Sequence, residues 1–342
     1  MAIIKPKNAT MSDVARLAGV SMKTVSRVFN NEKYVSKDKR DKILAVADEL
    51  NFRPSLQARG LAGAKSHIFG LFVDDPSGDY ISKVLRSTLN QCEAAGYHLV
   101  VEVLKERGNE AKLRQVLNSI KFDGVVLSPP ICDDTVVLNA LRTSGVPTAR
   151  IGPGVPADDM GKVSIDEFQA AYEMTEYLIS MGHTRIAFIK GDPNHACSLD
   201  RERGYVRAMQ ANGLRVQHDY MVPGMFSYSS GRAAASMLLD LDDRPTAVFA
   251  SNDEMAAGLL AVARERGVDV PGEISVAGFD DDAIATTVSP ALTTVRQPVE
   301  EMAAAAFEMI MGEGADEEDH ELSAVHRFEI CVRDSVADIR AR

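Results

Sequence analysis

No stretch of the 342 residues approaches the roughly 18 uninterrupted apolar residues that a membrane span requires. The first residues hold no charged segment running into an apolar one, so a cytoplasmic chain is expected. Only four cysteines occur, Cys92, Cys132, Cys197 and Cys331, far apart and in no CxxC pair. That excludes a zinc knuckle or redox dithiol and leaves four small core hydrophobes. The histidines are scattered without ligand spacing, so no metal is expected. GxxxxGK, GxSxG and HExxH are all missing, which leaves no catalytic residues and no cofactor to assign. A GPGVPA run at Gly152 formally fits GxGxxA, but Pro153 and Pro156 are poor residues for opening a helix there, and a dehydrogenase is set aside.

What is present is a globular composition, 45% hydrophobic, enough for two or three compact domains. The net charge of -11 hides an asymmetry. Residues 1–65 carry 13 Lys and Arg against 6 Asp and Glu, a balance of +7, whereas the rest carries 25 against 43, a balance of -18. A basic head on an acidic body suits a small domain that meets polyphosphate while the remainder stays soluble.

The head has helical periodicity. Thr10 can cap a helix carrying Val14, Leu17 and Ala18, and Gly19 supplies a tight turn before VSMKTVSRVFN. In that segment Ser21 is the expected cap, and Val25, Val28 and Phe29 repeat toward a core. Met22, Lys23, Ser26, Arg27 and Asn30 are left on the other face. A third helix is expected after a Ser36 cap, with Ile43, Leu44, Ala47 and Leu50 inward. This describes a helix-turn-helix, yet the periodicity alone fits a solvated polar face as well as one that enters a DNA groove.

From residue 66 strands and helices alternate. Strands are expected at 68–73, 98–103, 123–128 and 146–151, then at 185–190, 246–251 and 274–279. In the second series helices start near Asp200, Ser230 and Asn252. Two such series imply an α/β body of two Rossmann-like lobes, with the loops after Val73, Ser128, Ile151, Lys190, Ala250 and Phe279 lining a cleft between them. The helix stripe Phe168, Ala171, Tyr172, Thr175 and Ile179 is expected in the core, and His183 is expected to cap or pack at a turn.

The run from Thr10 to Gly63, with DVARLAGVS, TVSRV, VS and LNFRP, resembles the DNA-binding headpiece of the lactose repressor family. Residues 66–336 resemble that family's periplasmic-binding-protein-like (type I) effector domain, through LISMGHTRIAFIKG, DRERGY, FASNDEMAAG, ISVAGFDD, PALTTVRQP and FEICVRDS. The resemblance implies a headpiece at 1–52, a hinge at 53–65 and a two-lobed effector-binding and dimerisation domain at 66–342. It implies a DNA-binding transcriptional regulator, a repressor of carbohydrate-utilisation genes under a small sugar effector. The alternatives are control by a non-sugar corepressor, or a sugar receptor without a DNA role.

By the same resemblance Met22, Lys23 and Arg27 face base edges, where Lys and Arg suit guanine and Met a thymine methyl. Thr10, Ser21, Thr24, Asn30, Tyr34 and Ser36 hold phosphates. Leu61 would wedge into the minor groove, with Ala58 packing in a hinge that folds only on DNA. Gly60 departs from the pattern and lowers helix propensity there. Arg201, Asn252 and Asp280 correspond to effector ligands; DDPSGDY departs from the family's commoner loop after the first strand, and Asp75, Ser77 and Tyr80 are expected to face the cleft, Tyr80 by stacking on a sugar ring. Asn252 could equally serve only as a helix cap, and Asp280 only as a solvated strand-end carboxylate. Where many sugar-responsive relatives carry an acid after the fourth strand, this chain has Gly152, with Arg150 two residues before it. The implied partners are near-palindromic operator DNA, the effector and a second copy of the chain, since no heptad tail follows to build tetramers. Lys23→Ala and Arg27→Ala are each expected to cost about 1–3 kcal/mol on the preferred operator. Binding assays on matched and scrambled sites check this, and an equal loss on both would make the two residues phosphate contacts.

Overall fold

The computed structural model describes residues 9–29, 34–52, 65–105, 110–312 and 322–340. The chain forms two compact units, Met1–His67 and Ile68–Arg342. The first contains α1 (Met11–Ala18), α2 (Met22–Phe29) and α3 (Lys37–Glu49). α1 starts at a reciprocal cap: the Thr10 hydroxyl accepts from the Asp13 N–H, and the Asp13 carboxylate accepts from the Thr10 N–H at 3.0 Å. It stops at Gly19, whose φ of 70° closes the last turn and redirects the chain into α2. Ser21 Oγ then accepts from the Thr24 N–H at 3.2 Å, capping α2.

Two expectations fail in α3. The Ser36 side chain makes no cap hydrogen bond, because residues 36–39 are exposed and water satisfies that first turn. Leu44 is 40% exposed, since Ile43, Ala47 and Leu50 already fill the inward stripe and residue 44 lies a quarter-turn away. The core joins these three to Val14, Ala18, Val25 and Val28, with Phe29 edge-on to Phe52 at 5.7 Å. Arg40 Nη1 donates to the Val28 carbonyl at 3.2 Å, placing a cation at the end of α2.

In the second unit β1 (Ile68–Val73), α4 (Asp79–Ala95), β2 (His98–Val103), α5 (Glu110–Ser119), β3 (Gly124–Leu127), α6 (Thr135–Ser144), β4 (Thr148–Ile151) and β5 (Gly161–Ile165) build the first lobe. α7 (Glu167–Ser180) leads into the second, made of β6 (Ile186–Ile189), α8 (Ala196–Ala211), β7 (Met221–Val222), α9 (Tyr228–Leu239), β8 (Ala247–Ala250), α10 (Asp253–Glu265), β9 (Ser275–Asp280), α11 (Ala283–Thr287) and β10 (Thr293–Arg296). α12 (Val299–Met311) returns to pack on α4, β4 and β5, and then β11 (Ser323–His326) joins the first sheet and β12 (Glu329–Cys331) the second. The strand orders are β11-β5-β4-β3-β1-β2 and β12-β10-β9-β8-β6-β7, parallel throughout except for β12 against β10.

β3, β4, β6 and β8 are buried at all four positions, as helices on both faces require. The expected strands are all found, with ends displaced by one or two residues. Sequence periodicity gave no sign of β5, β7, β10, β11 or β12, all short strands at or near sheet edges. The helix expected near Asp200 starts at Ala196, and the one near Ser230 starts at Tyr228.

The buried line of α7 is Ala170, Ala171, Met174, Thr175 and Leu178, so the expected stripe is displaced. Phe168 and Tyr172 instead stack on one another at 6.4 Å, half-buried beside the close α7–α8 packing. The cysteines divide as well: Cys92 and Cys132 are buried, while Cys197 and Cys331 are only partly so, because each lies at an element end.

Helices α7 and α8 meet at Gly204, where a Cβ would lie 2.3 Å from the Phe168 carbonyl. α9 and α10 meet at Gly258, 2.3 Å from the Tyr228 carbonyl. Gly204→Ala and Gly258→Ala should each cost about 1–3 kcal/mol through overpacking against backbone. At Gly78 nothing lies within 4 Å, and Gly78→Ala should change stability by less than about 1 kcal/mol. Urea denaturation of the three variants distinguishes close packing from a general effect of removing glycine.

Candidate functional site

Two surfaces carry the residues singled out from sequence. On the first unit, the start of α2 presents Met22, 56% exposed, and Lys23, also exposed, next to the hydrogen-bonded Ser21–Thr24 pair, whose hydroxyls are 2.9 Å apart. Arg27 is half-buried on the next turn. Thr10, Ser36 and the 91%-exposed Tyr34 are accessible, and Thr24 is half-buried. Asn30, Ala58, Gly60 and Leu61 lie outside the described residues.

On the second unit, the carboxyl ends of the strands meet around a cavity of about 380 Å³ between the lobes. Tyr80, Asp75 and Ser77 line it from the first lobe, and Arg201, Asn252 and Asp280 from the second. Parallel strands place these loops together because all their carboxyl ends point the same way. Asp75 accepts from the Ser77 N–H at 2.9 Å, a local turn that holds the loop after β1. Tyr80, in the first turn of α4, offers its ring to the cavity wall.

Arg201 is buried on α8, and every contact it makes is specific. Its Nε donates to Glu167 at 2.8 Å and its Nη1 to the Ser251 carbonyl at 2.5 Å. Asp280 Oδ1 lies 3.6 Å from Nη1, and the guanidinium carbon sits 3.6 Å from the centre of the Phe279 ring. A buried cation is tolerable only with this degree of pairing.

Asp280 ends β9 with φ 108°, followed by Asp281 at φ 52°, a left-handed turn without glycine. It accepts from Gln297 Nε2 at 2.7 Å. Burial pushes its carboxyl up to about 8, against the pull of the Arg201 charge. Asn252 does cap α10, accepting from the Met255 N–H at 3.0 Å, and its amide nitrogen donates to the Phe226 carbonyl at 3.0 Å. The cap therefore occupies one side of the amide and positions Phe226 with the other.

Sequence reasoning passed over Glu167, Phe226, His195 and Gln297, all of which line the cavity. Gln297 stands in the quoted PALTTVRQP and so carried a signal, whereas Glu167 follows β5, a strand that periodicity did not reveal. It also passed over an interlobe clasp. Lys83 of α4 donates to Asp282 at 2.8 Å and to the Asp281 carbonyl at 3.0 Å, while the Ala283 N–H donates to Asp79 at 3.0 Å. The clasp ties the first lobe to the turn that carries Asp280.

Arg150 does not reach the cavity. It is buried, with Nη1 donating to the Val155 carbonyl at 2.8 Å, and Asp133 beside it accepts from the Gly154 and Val155 N–H groups. GPGVPA is thus a loop held by an ion pair rather than the start of a helix. Gly152 gives the cavity a wall of backbone where a side chain is missing. His183 is structural, with Nδ1 3.1 Å from Thr246 Oγ1 and Nε2 3.2 Å from the Ala337 carbonyl.

Residues 10–55 match the family model for bacterial regulatory proteins of the lacI family, and residues 175–336 match a periplasmic binding protein-like domain. The chain is 34% identical over 298 residues to the HTH-type transcriptional regulator DegA of Bacillus subtilis (strain 168), covering 86% of this chain and 88% of that one. Among solved structures it is similar to the lac repressor dimer bound to operator and the anti-inducer ONPF, at 25% identity and a TM-score of 0.82, over 97% of this chain and all of that one. It is also similar to a complex of the transcriptional regulator CelR with cellobiose, at 29% identity and a TM-score of 0.72, over 96% of this chain and all of that one.

Asp280 gives this site a pH signature. Unfolded, its carboxyl ionises near 4; folded, it keeps its proton to about 8, so its contribution favours the folded state at low pH and is lost as pH rises through 8. Asp280→Asn keeps the acceptor for Gln297 and removes the titration. The melting temperature of the variant should therefore gain on that of the unaltered protein between about pH 5 and 9. A constant difference across that range in a thermal-shift series would contradict the buried, protonated carboxyl.

Proposed function

The chain belongs to the lacI family of bacterial regulatory proteins and is a DNA-binding transcriptional regulator with a small-molecule effector; we propose that it represses carbohydrate-utilisation genes and that its effector is a sugar. The observation that carries the proposal is the cavity itself. Tyr80 and Phe226 offer rings suited to stacking on a pyranose, and Arg201, Asn252, Asp280 and Gln297 bring hydrogen-bonding groups to the same space. The similar regulator solved with cellobiose accords with this chemistry.

Two copies of the chain, acting in the cytoplasm, place two headpieces on a near-palindromic operator. Lys23 and Arg27 read guanines, Met22 touches a thymine methyl, and Thr10, Ser21, Thr24, Asn30, Tyr34 and Ser36 fix register on phosphates. Residues 53–65 act as a hinge in which Leu61 opens a central base step from the minor groove, packed beside Ala58. Sugar in the cleft favours one relative angle of the lobes, and that preference decides whether the hinge segments can pair on DNA.

Gel shifts with the DNA upstream of the gene itself test the proposal. A shifted band should form at protein concentrations about 1000-fold below those needed for bulk DNA, and a mono- or disaccharide that raises the melting temperature should change its midpoint. Equal affinity for promoter and bulk DNA, with every sugar tried, would refute it.

A further inference from the structure

We propose that the effector cleft rejects anions: a neutral polyhydroxyl ligand binds, and the same scaffold carrying a carboxylate or phosphate does not. The inference rests on the cleft being the effector site and concerns the charge of what it accepts. Seven carboxylates line the cavity against one guanidinium, that of Arg201. What decides the sign of the field is how many of these charges are already paired.

Arg201 has no surplus positive charge to offer. Glu167 holds its Nε at 2.8 Å, and the Asp280 carboxyl lies 3.6 Å from Nη1, so the charge of Arg201 is already matched by Glu167. Lys83, the cation of the interlobe clasp, is likewise shared, 2.8 Å from Asp282 and 3.4 Å from Asp79. Even with Asp280 holding its proton at neutral pH, Arg201, Lys83 and the Lys105 that draws on Asp75 face six other carboxyl groups. Two of the six are unmatched. Asp74, just after β1 in the first lobe, and Glu254, in the first turn of α10 in the second, are half-buried and make no ion pair or hydrogen bond among the described residues.

A ligand entering between the lobes therefore passes uncompensated negative charge on both walls, where partial burial weakens screening by salt. Hydroxyl groups can donate to these carboxylates, and the Nη2 hydrogens of Arg201 can donate to a ring or hydroxyl oxygen. A uronate or sugar phosphate would add a like charge with no unshared lysine or arginine among the described residues lining the cavity to receive it. Like-charge juxtaposition of this kind corresponds to binding about 100-fold weaker or worse.

The test uses the full-length protein in low salt and two readouts. The first is thermal shift with matched sets on one scaffold: glucose, glucosamine, glucuronate and glucose 6-phosphate, the corresponding galactose set, and cellobiose with cellobionate. The inference requires that within any set that binds, the neutral or amine-bearing member raises the melting temperature and the anionic member does not. A uronate, aldonate or sugar phosphate that stabilises more than its neutral counterpart overturns it.

The second readout needs no ligand. Asp74→Asn combined with Glu254→Gln removes two unpaired negative charges from the cavity walls and should raise the melting temperature at low salt, with the gain shrinking at high salt. An unchanged or lower melting temperature at low salt overturns the inference. If no sugar of any charge stabilises the protein while the double variant behaves as expected, the sugar proposal fails and the acidic cleft stands.

Discussion

The buried guanidinium of Arg201 is the constraint around which the effector unit is organised. It joins α7 through Glu167, the end of β8 through the Ser251 carbonyl, and the end of β9 through Asp280 and the Phe279 ring. A cation held out of water must have these partners, and stripping one from such a pair costs about 3–5 kcal/mol. The same need for pairing fixes Glu167 and Asp280 at the cavity edge, where a ligand can meet them.

From that centre the link between the lobes follows. The turn after β9 runs through two residues at positive φ, Asp280 and Asp281, an arrangement that persists because each side chain is held. Asp280 is held by Gln297, and Asp281 by Arg296 at 2.7 Å and Arg333 at 2.5 Å. The next residue, Asp282, takes Lys83 from the opposite lobe. A ligand that shifts Asp280 therefore pulls on a turn already tied across the cleft. Differential binding to two lobe arrangements needs this kind of physical connection.

Much of this was legible in the sequence, and the limits have physical causes. The first unit could be read nearly residue by residue, because caps, a left-handed glycine and a 3.6-residue stripe act locally: Thr10, Gly19, Val25 and Val28 all do what their spacing implies. Leu44 misled because a helix with apolar residues at 43, 44, 46 and 47 does not declare which of them face inward. The buried strands were plain as apolar runs, whereas β5 and β11, reading GKVSI and SAVH, are too short and mixed to stand out. At the cleft, Arg201, Asn252 and Asp280 came from resemblance, but nothing local reveals that Glu167 lies 34 residues from the arginine it neutralises or that Lys83 meets Asp282 across 199 residues. Long-range pairing is invisible to periodicity, and it is what gives the cavity its charge.

A cleft that governs DNA binding must share one equilibrium with the DNA-binding unit. The most direct measurement is calorimetric titration of the stabilising sugar into the free protein and into its operator complex, alongside operator titration with and without that sugar. Linkage predicts that the sugar's affinity changes on operator by the same factor as operator affinity changes with sugar. One sugar affinity in both states, however tight, would contradict the account.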